Sequence, residues 1–502
     1  MKWLERANDL DCLRMIWAVD SIQSGNDEAA KPFLKYPKEA VTSDMSDKFA
    51  IYKWELETII TSLLTTPKDK PQAGRYHFTN LQDFNSFSFL VNILRSIEEG
   101  EYNLTASADK VLEEMYKVGQ RQFSWQRGYN SEQLFRYAFV YGQGECGHFF
   151  QEQNGLSVSS FIFMSLVLFG VQAQAPFKEE IDVSSLDVAQ EDMEKTLNIL
   201  SSDITDIRKR AKKLNLDAMK ALKGPLKTAY MPSVLRQKPI VRIDRPHRKP
   251  LYISPLTPLI MHRATAGLYY DIAKGPKRLL SEANSRFEDY VRVLTKGFNP
   301  RLETLQGAAY GTKANRIDPP DCLVKDGDAI VAIIECKATK LTFAAQFSEN
   351  PIEAERAKFD QLVKGIYQVW RFFSHARRGI YAEHSVSPTA YGIVLTMDNW
   401  MQMADKLRRI AADRARELAA QDIDITAADM KTIIFVSVQE LADTCIVTET
   451  DEFLQVLSHA CHPRFEGYSL PQIARECGIQ LTEKKFPLKM NHLLPWWEII
   501  KN

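Results

Sequence analysis

The chain has 502 residues, 45% of them apolar and 25% charged, which is enough for two or three domains with cores of ordinary size. Its 64 basic side chains are matched by 64 acidic ones, so net charge gives no ground for a nucleic-acid partner, which would need a local basic surface. The cysteines (Cys12, Cys146, Cys322, Cys336, Cys445, Cys461 and Cys477) form no Cys-x-x-Cys pair, which points to reduced thiols rather than a disulfide framework. Cys461-His462 with Cys477, or Cys146 with His148, match no common zinc spacing.

The opening MKWLERANDLDCLRMIW carries acids throughout and lacks the apolar run of a secretory leader. Apolar positions then recur at helical spacing in Trp3–Val19, Phe49–Leu64 and Phe87–Ile97, and Ser131 opens a further helix-like stretch. The most apolar run, Phe161–Gly170, is about half as long as a membrane span and has no basic flank. It is expected as a buried helix of a cytoplasmic protein with no membrane partner. Asp203–Leu222 places Ile204, Ile207, Ala211, Leu214 and Ala218 on one stripe, an amphipathic helix ended by Gly224-Pro225. Residues 1–230 are thus expected to be mostly α-helical. They would recognise a target, regulate the remainder, or mediate assembly with a second copy or a partner protein.

Residues 231–279 read as a connecting segment. Pro232, Pro239, Pro246, Pro250, Pro255 and Pro258 predict extended, turn-rich chain. Arg236, Lys238, Arg242, Arg245, Arg248 and Lys249 crowd against Asp244 alone. Arg242, Arg245, Arg248 and Lys249 are candidates for following a phosphate backbone. The structural alternative is a solvated edge strand or hairpin, where Lys and Arg discourage further strand pairing. A helix is expected over Leu259–Ile272.

From 280 to 502 the pattern alternates. A helix is expected over Ser281–Leu294, then strands at Cys322–Val324 and Ala329–Cys336 around Lys325-Asp326-Gly327-Asp328, a hairpin signal. A long helix follows over Ile352–Phe373, an apolar run at Tyr391–Met397, a helix at Trp400–Ala420 and a last apolar run at Thr432–Val438. This alternation predicts an α/β domain with a mixed sheet flanked by helices.

The segment DPPDCLVKDGDAIVAIIECKA, Asp318–Ala338, carries the chemistry. Alternation along a strand puts Val331, Ile333, Glu335 and Lys337 on one face, and Ala332, Ile334 and Cys336 on the other. Both faces are apolar up to residue 334, as in a strand covered on both sides. Two charges at the end of such a strand are costly unless they pair or bind something. Glu-x-Lys also arises by chance and recurs at Glu483-Lys484-Lys485, so a simple ion pair is the alternative reading.

Pro320-Asp321 precedes this pair, Glu288 lies on the preceding helix, and Gln361, Lys364 and Gln368 lie on the following one. Over about 280–440 this ordered set resembles the PD-(D/E)XK nuclease superfamily, whose fold is restriction-endonuclease-like. Some members carry Gln-x-x-x-Tyr on the following helix, whereas here Gln361 is followed by Gly365, with Tyr367 six residues on. The resemblance implies magnesium, replaceable by manganese, held by Asp321, Glu335 and the backbone carbonyl of Cys336, with Glu288 binding directly or through water. It implies that Lys337 positions the attacking water, and that the substrate is nucleic acid, DNA before RNA. A role in prokaryotic defence would suit a free-standing nuclease with no ATP-binding loop of the Walker A kind. A binding or scaffolding module with an inactive nuclease-like domain, and an RNA-directed nuclease, are the other readings.

Register decides whether Asp318 or Asp321 faces Glu335. A two-residue turn at Asp326-Gly327 would put Asp321 on the opposite face, whereas a three-residue turn or a bulge would pair Asp321 with Ile333 on the face of Glu335. Pro319-Pro320 disfavours regular pairing at 318. An irregular hairpin with Asp321 beside Glu335 is therefore expected.

Overall fold

The computed structural model describes residues 2–68, 80–104, 119, 128–186, 188–222, 226–313, 315–338, 340, 355–399 and 405–501. Helices dominate the first two hundred residues. The single helix expected over Trp3–Val19 is two, Lys2–Arg6 and Asp9–Gln23. The break falls at Asn8, whose side chain accepts from the Leu10 and Asp11 amides at 2.9 and 3.1 Å and so starts a new helix. Helices Lys53–Thr65 and Phe84–Asn103 pack on it through Leu56, Ile60, Phe84 and Phe87. Helix Ile204–Leu222 buries Ile207 and Ala211 in the same core, as its stripe predicts. The proposed stop at Gly224-Pro225 lies outside the described residues.

Helix Val158–Gln174 contains the most apolar run and is buried along much of its length. Its polar Gln172 is fully covered yet satisfied. The side chain accepts from the Ser254 amide at 3.0 Å and donates to the Tyr252 carbonyl at 3.2 Å, while the Gln172 carbonyl accepts from the Trp17 indole at 2.7 Å. Among the described residues no single helix is long and apolar enough to cross a membrane.

The proline-rich segment forms a small sheet. β1 (Ser201–Asp203) pairs in parallel with β2 (Ile240–Arg245), which pairs antiparallel with β3 (Arg248–Ile253). Pro246 sits in the turn, where its missing amide costs no ladder bond.

The main sheet is mixed. After β4 (Glu303–Leu305), β5 (Tyr310–Thr312) and β6 (Asn315–Ile317) pair only with each other, and β7 (Cys322–Asp326), β8 (Ala329–Lys337), β9 (Ser385–Thr396) and β10 (Ile433–Ser437) follow. The five-stranded order is β10-β9-β8-β7-β4, with β8 central, antiparallel to β7 and parallel to β9. Helix Lys277–Phe298 covers one face through Phe287, Val291 and Leu294, packed with Cys322, Val324, Ala332 and Ile334. Helix Arg356–Arg377 covers the other, where Val369, Phe372 and Phe373 meet Leu323, Ile330 and Ile333. Helix Asp405–Ala419 extends that layer. The expected starts of these two helices, at 352 and 400, lie outside the described residues.

The β7–β8 hairpin is irregular through a bulge, one of the two expected forms, but its turn and pairing differ from those expected. Asp326 pairs with Ala329, so Gly327 and Asp328 make the turn, one residue later than Asp326-Gly327. Gly327 has φ of 58°, which suits glycine. The register slips between Ile330 and Ala332, on the β9 side as well. Val331 is the extra residue, and it packs with the core around Ala332 and Ile334 rather than with Ile333 as alternation alone predicts.

The core under the first face also takes in Leu134, Phe135, Phe161 and Leu200, so packing continues across residues 230 and 280. Tyr290 donates to buried Glu132 at 2.6 Å, joining helix Lys277–Phe298 to helix Ser131–Tyr141.

Candidate active site

Beyond the bulge, the last ladder pair is Cys322 with Ile334, and the next step along both strands sets Asp321 opposite Glu335. The expected partner was Ile333. Glu335 is 2% exposed. Its Oε1 accepts from Lys337 Nζ at 2.6 Å, while Oε2 is buried with no hydrogen-bond partner among the described residues. Asp321 Oδ2 accepts from the Cys336 amide at 2.7 Å, so the backbone of the Glu-Cys-Lys step orients this carboxylate.

Glu288 reaches the group from helix Lys277–Phe298. Four residues on, hence on the same side of the helix, Arg292 donates to the Asp321 carbonyl and to the Asp289 carboxylate. Arg292 ties the helix to the strand end and was missed in the sequence, although its spacing from Glu288 was the available signal.

Gly365 was also missed, noted only as a departure from a glutamine motif. It lies in the middle of helix Arg356–Arg377, where glycine costs about 1 kcal/mol relative to alanine. A Cβ there would stand 2.9 Å from Lys337 Cε and 3.4 Å from Glu335 Cγ. The missing side chain is what lets the helix lie directly over the pair. Gln361 and Lys364 beside it are exposed, and Gln368 is half-buried with its Oε1 unpartnered.

The electrostatics show that the four groups feel one another. Burial pushes the Glu335 carboxyl up to about 7, Lys337 opposing it and Asp321 and Glu288 adding to it. Burial likewise raises Glu288 to about 7, with Asp321 adding and Arg292 opposing. Asp321 is raised by burial against the pull of Lys337, the Cys336 amide and Arg292. Burial would lower Lys337, but Glu335 and Asp321 outweigh it and hold the ammonium above its ordinary range.

Among the described residues no three His, Cys, Asp or Glu side chains converge as a ready metal-ligand set. The reason is local, since Glu335 is turned to Lys337 and Asp321 to the Cys336 amide. The Cys336 thiol belongs to the core on the other face, where burial raises it strongly. Donor chemistry nevertheless suits a hard cation: three carboxylates repel one another, and one buried oxygen is unused. Asp318, the other candidate, is exposed and precedes β7.

The basic run does not form one surface. Arg236 is buried in a bidentate pair with Glu57 at 2.9 and 3.0 Å, and Lys238 donates to the Asn198 and Ile199 carbonyls. Arg242 pairs with Asp244 at 3.1 Å, Arg245 with Glu179 at 2.9 Å and Lys249 with Glu180 at 2.5 Å, while Arg248 is exposed. All four candidates lie on the small sheet, not on the sheet that carries Glu335.

Comparison with family models, curated proteins and solved structures found no match.

Proposed function

We propose that this chain is a divalent-cation-dependent nuclease of the PD-(D/E)XK kind, with a restriction-endonuclease-like core, acting on nucleic acid with DNA first. The observation that carries this reading is Glu335 Oε2, a buried acceptor without a partner among the described residues, at the end of the central strand beside Asp321 and Lys337. An orphaned buried carboxylate oxygen costs on the order of 1–3 kcal/mol, which a ligand would recover. The element order supports it too: a helix with Glu288, a strand led by Asp321, a strand ending in Glu335 and Lys337, then a helix against them.

Asp321, Glu335 and Glu288 would hold magnesium or manganese. Such a cation would neutralise the attacked phosphate and acidify bound water. Lys337, kept charged by its two carboxylate neighbours, orients the attacking water and stabilises developing negative charge. Arg292 and the Cys336 amide keep Asp321 in place. Burial and the neighbouring carboxylates raise Glu288 and Glu335 together, a cost that a bound cation would relieve.

The test is incubation with plasmid, linear DNA and RNA in magnesium, manganese or EDTA. Cleavage that needs the cation and vanishes in Glu335→Gln is expected; cation-independent cleavage, or none, defeats the reading. One observation favours a catalytically silent binding module: the carboxylates do not converge. Calorimetric titration of magnesium and manganese into wild type and Glu335→Gln separates the two, since a silent module gives no heat that depends on Glu335.

A further inference from the structure

A cavity of about 500 Å³ opens near the small sheet, outside the candidate active site. Lys195, Arg210, Lys238, Arg263 and Lys274 line it, and Asp271 is the only acid among its described lining residues. Arg236 also lines it, but its guanidinium is engaged by Glu57. Lys195 and Arg210 make surface pairs with Glu191 and Asp206 on their own helices, of the kind worth little in water. Two cations then share one carboxylate, Arg263 at 2.8 Å and Lys274 at 3.0 Å from Asp271.

No carboxylate among the described residues pairs directly with Lys238, though Asp271 acts on it from a distance. Its ammonium donates to the Asn198 and Ile199 carbonyls at 2.9 and 2.7 Å, which leaves a third donor. Burial, then Arg263, Arg210 and Lys274, lower it to about 8. Lys238, Arg263 and Lys274 thus share a concave space with Asp271 as the one acid among its described lining residues. An anion would relieve their repulsion.

We propose that this cavity binds a small phosphorylated ligand of nucleotide size, its phosphate held by Lys238, Arg263 and Lys274. Phosphate suits the site because a dianion matches the excess charge and a guanidinium presents paired donors to its oxygens. The volume falls in the usual range for small-molecule sites, and Tyr270 and Ile199 supply wall for a base or other flat group. A polymer backbone would instead meet cations strung along an open surface. The inference stands on its own residues and does not rest on the nuclease reading.

The test is calorimetric titration of the full chain with inorganic phosphate, AMP, ADP and a short DNA duplex. AMP or ADP is expected to bind more tightly than phosphate. Lys274→Glu, at a side chain 73% exposed, should weaken nucleotide binding by about tenfold or more without moving the melting temperature. Lys238→Met should do the same, and Glu335→Gln should bind as wild type does. Phosphate binding as tightly as the nucleotides, binding of the duplex alone, or nucleotide binding untouched by Lys274→Glu would each overturn the proposal.

Discussion

Around the end of β8 Glu335 is buried and Asp321, Glu288 and Lys337 are half-buried, and one oxygen of Glu335 finds no donor among the described residues. On the β2–β3 hairpin Arg242, Arg245 and Lys249 stay at the surface, each facing an acid. Both regions stood out in the sequence as charge clusters. Burial separates them, because desolvation turns four interacting charges into a perturbed, unfinished site, whereas exposed pairs are close to neutral in energy. A charge run matters where the fold prevents water from completing it.

Four experiments break or sharpen this contrast. The largest effect is expected from Glu335→Gln and Lys337→Ala, each lowering cleavage by about 10²–10³-fold or more while the protein stays folded. Near wild-type turnover in either would remove the β8 end from the chemistry.

Gly365→Ala should come next. Alanine favours the helix, yet its Cβ would press on Lys337 Cε, so activity should fall by about tenfold although the helix is no weaker. Full activity would mean that Lys337 has room to spare.

On the hairpin side, replacing Arg242, Arg245 and Arg248 together should reduce the log–log salt slope of duplex binding by about 0.9, the share of one phosphate contact, because only Arg248 lacks an acid beside it. Arg248→Ala alone should reproduce that loss. A drop three times larger would show that the ion pairs open on binding.

The smallest effect is a pH-linked change in stability. Glu335 has a folded value of about 7 against 4.5 for an ordinary glutamate, so between those pH values the native state holds a proton that the unfolded chain has released. That contribution favours folding at acid pH and is lost as pH rises toward and through 7. Without divalent cations Glu335→Gln should therefore melt about one or two degrees higher than wild type at pH 8, with no such gain at pH 4. An equal shift at both pH values would show that ionisation of Glu335 is not the source.

The alternating helices and strands after residue 280 were legible because apolar period and turn residues agree there. Asp321, Glu335, Lys337 and Glu288 were legible as residue types in order, and the structure sets Asp321 opposite Glu335 at the strand end without converging the three carboxylates. Arg292 and Gly365 were harder to read. One acts through a backbone carbonyl and the other through an absent side chain, and neither leaves a mark in hydrophobic pattern. Arg236 was hard to place for a related reason: it looks like its neighbours in sequence, yet Glu57, which pairs with it in the core, lies far away along the chain.

Val331 has a consequence for how this hairpin can change. In a two-stranded ladder the face of each side chain is a matter of odd and even, and one unpaired residue inverts that parity for everything beyond it. Were the ladder to run on from Ile330 without the slip, Asp321 would meet Ile334 on the Ile330 face, under helix Arg356–Arg377, while Glu335 would look toward helix Lys277–Phe298. The working pair thus exists by a phase shift of one. Single-residue insertions or deletions anywhere between Asp321 and Glu335 should be far more damaging than changes of two, whatever they do to hydrophobicity. The stretch can drift in composition but is locked in length.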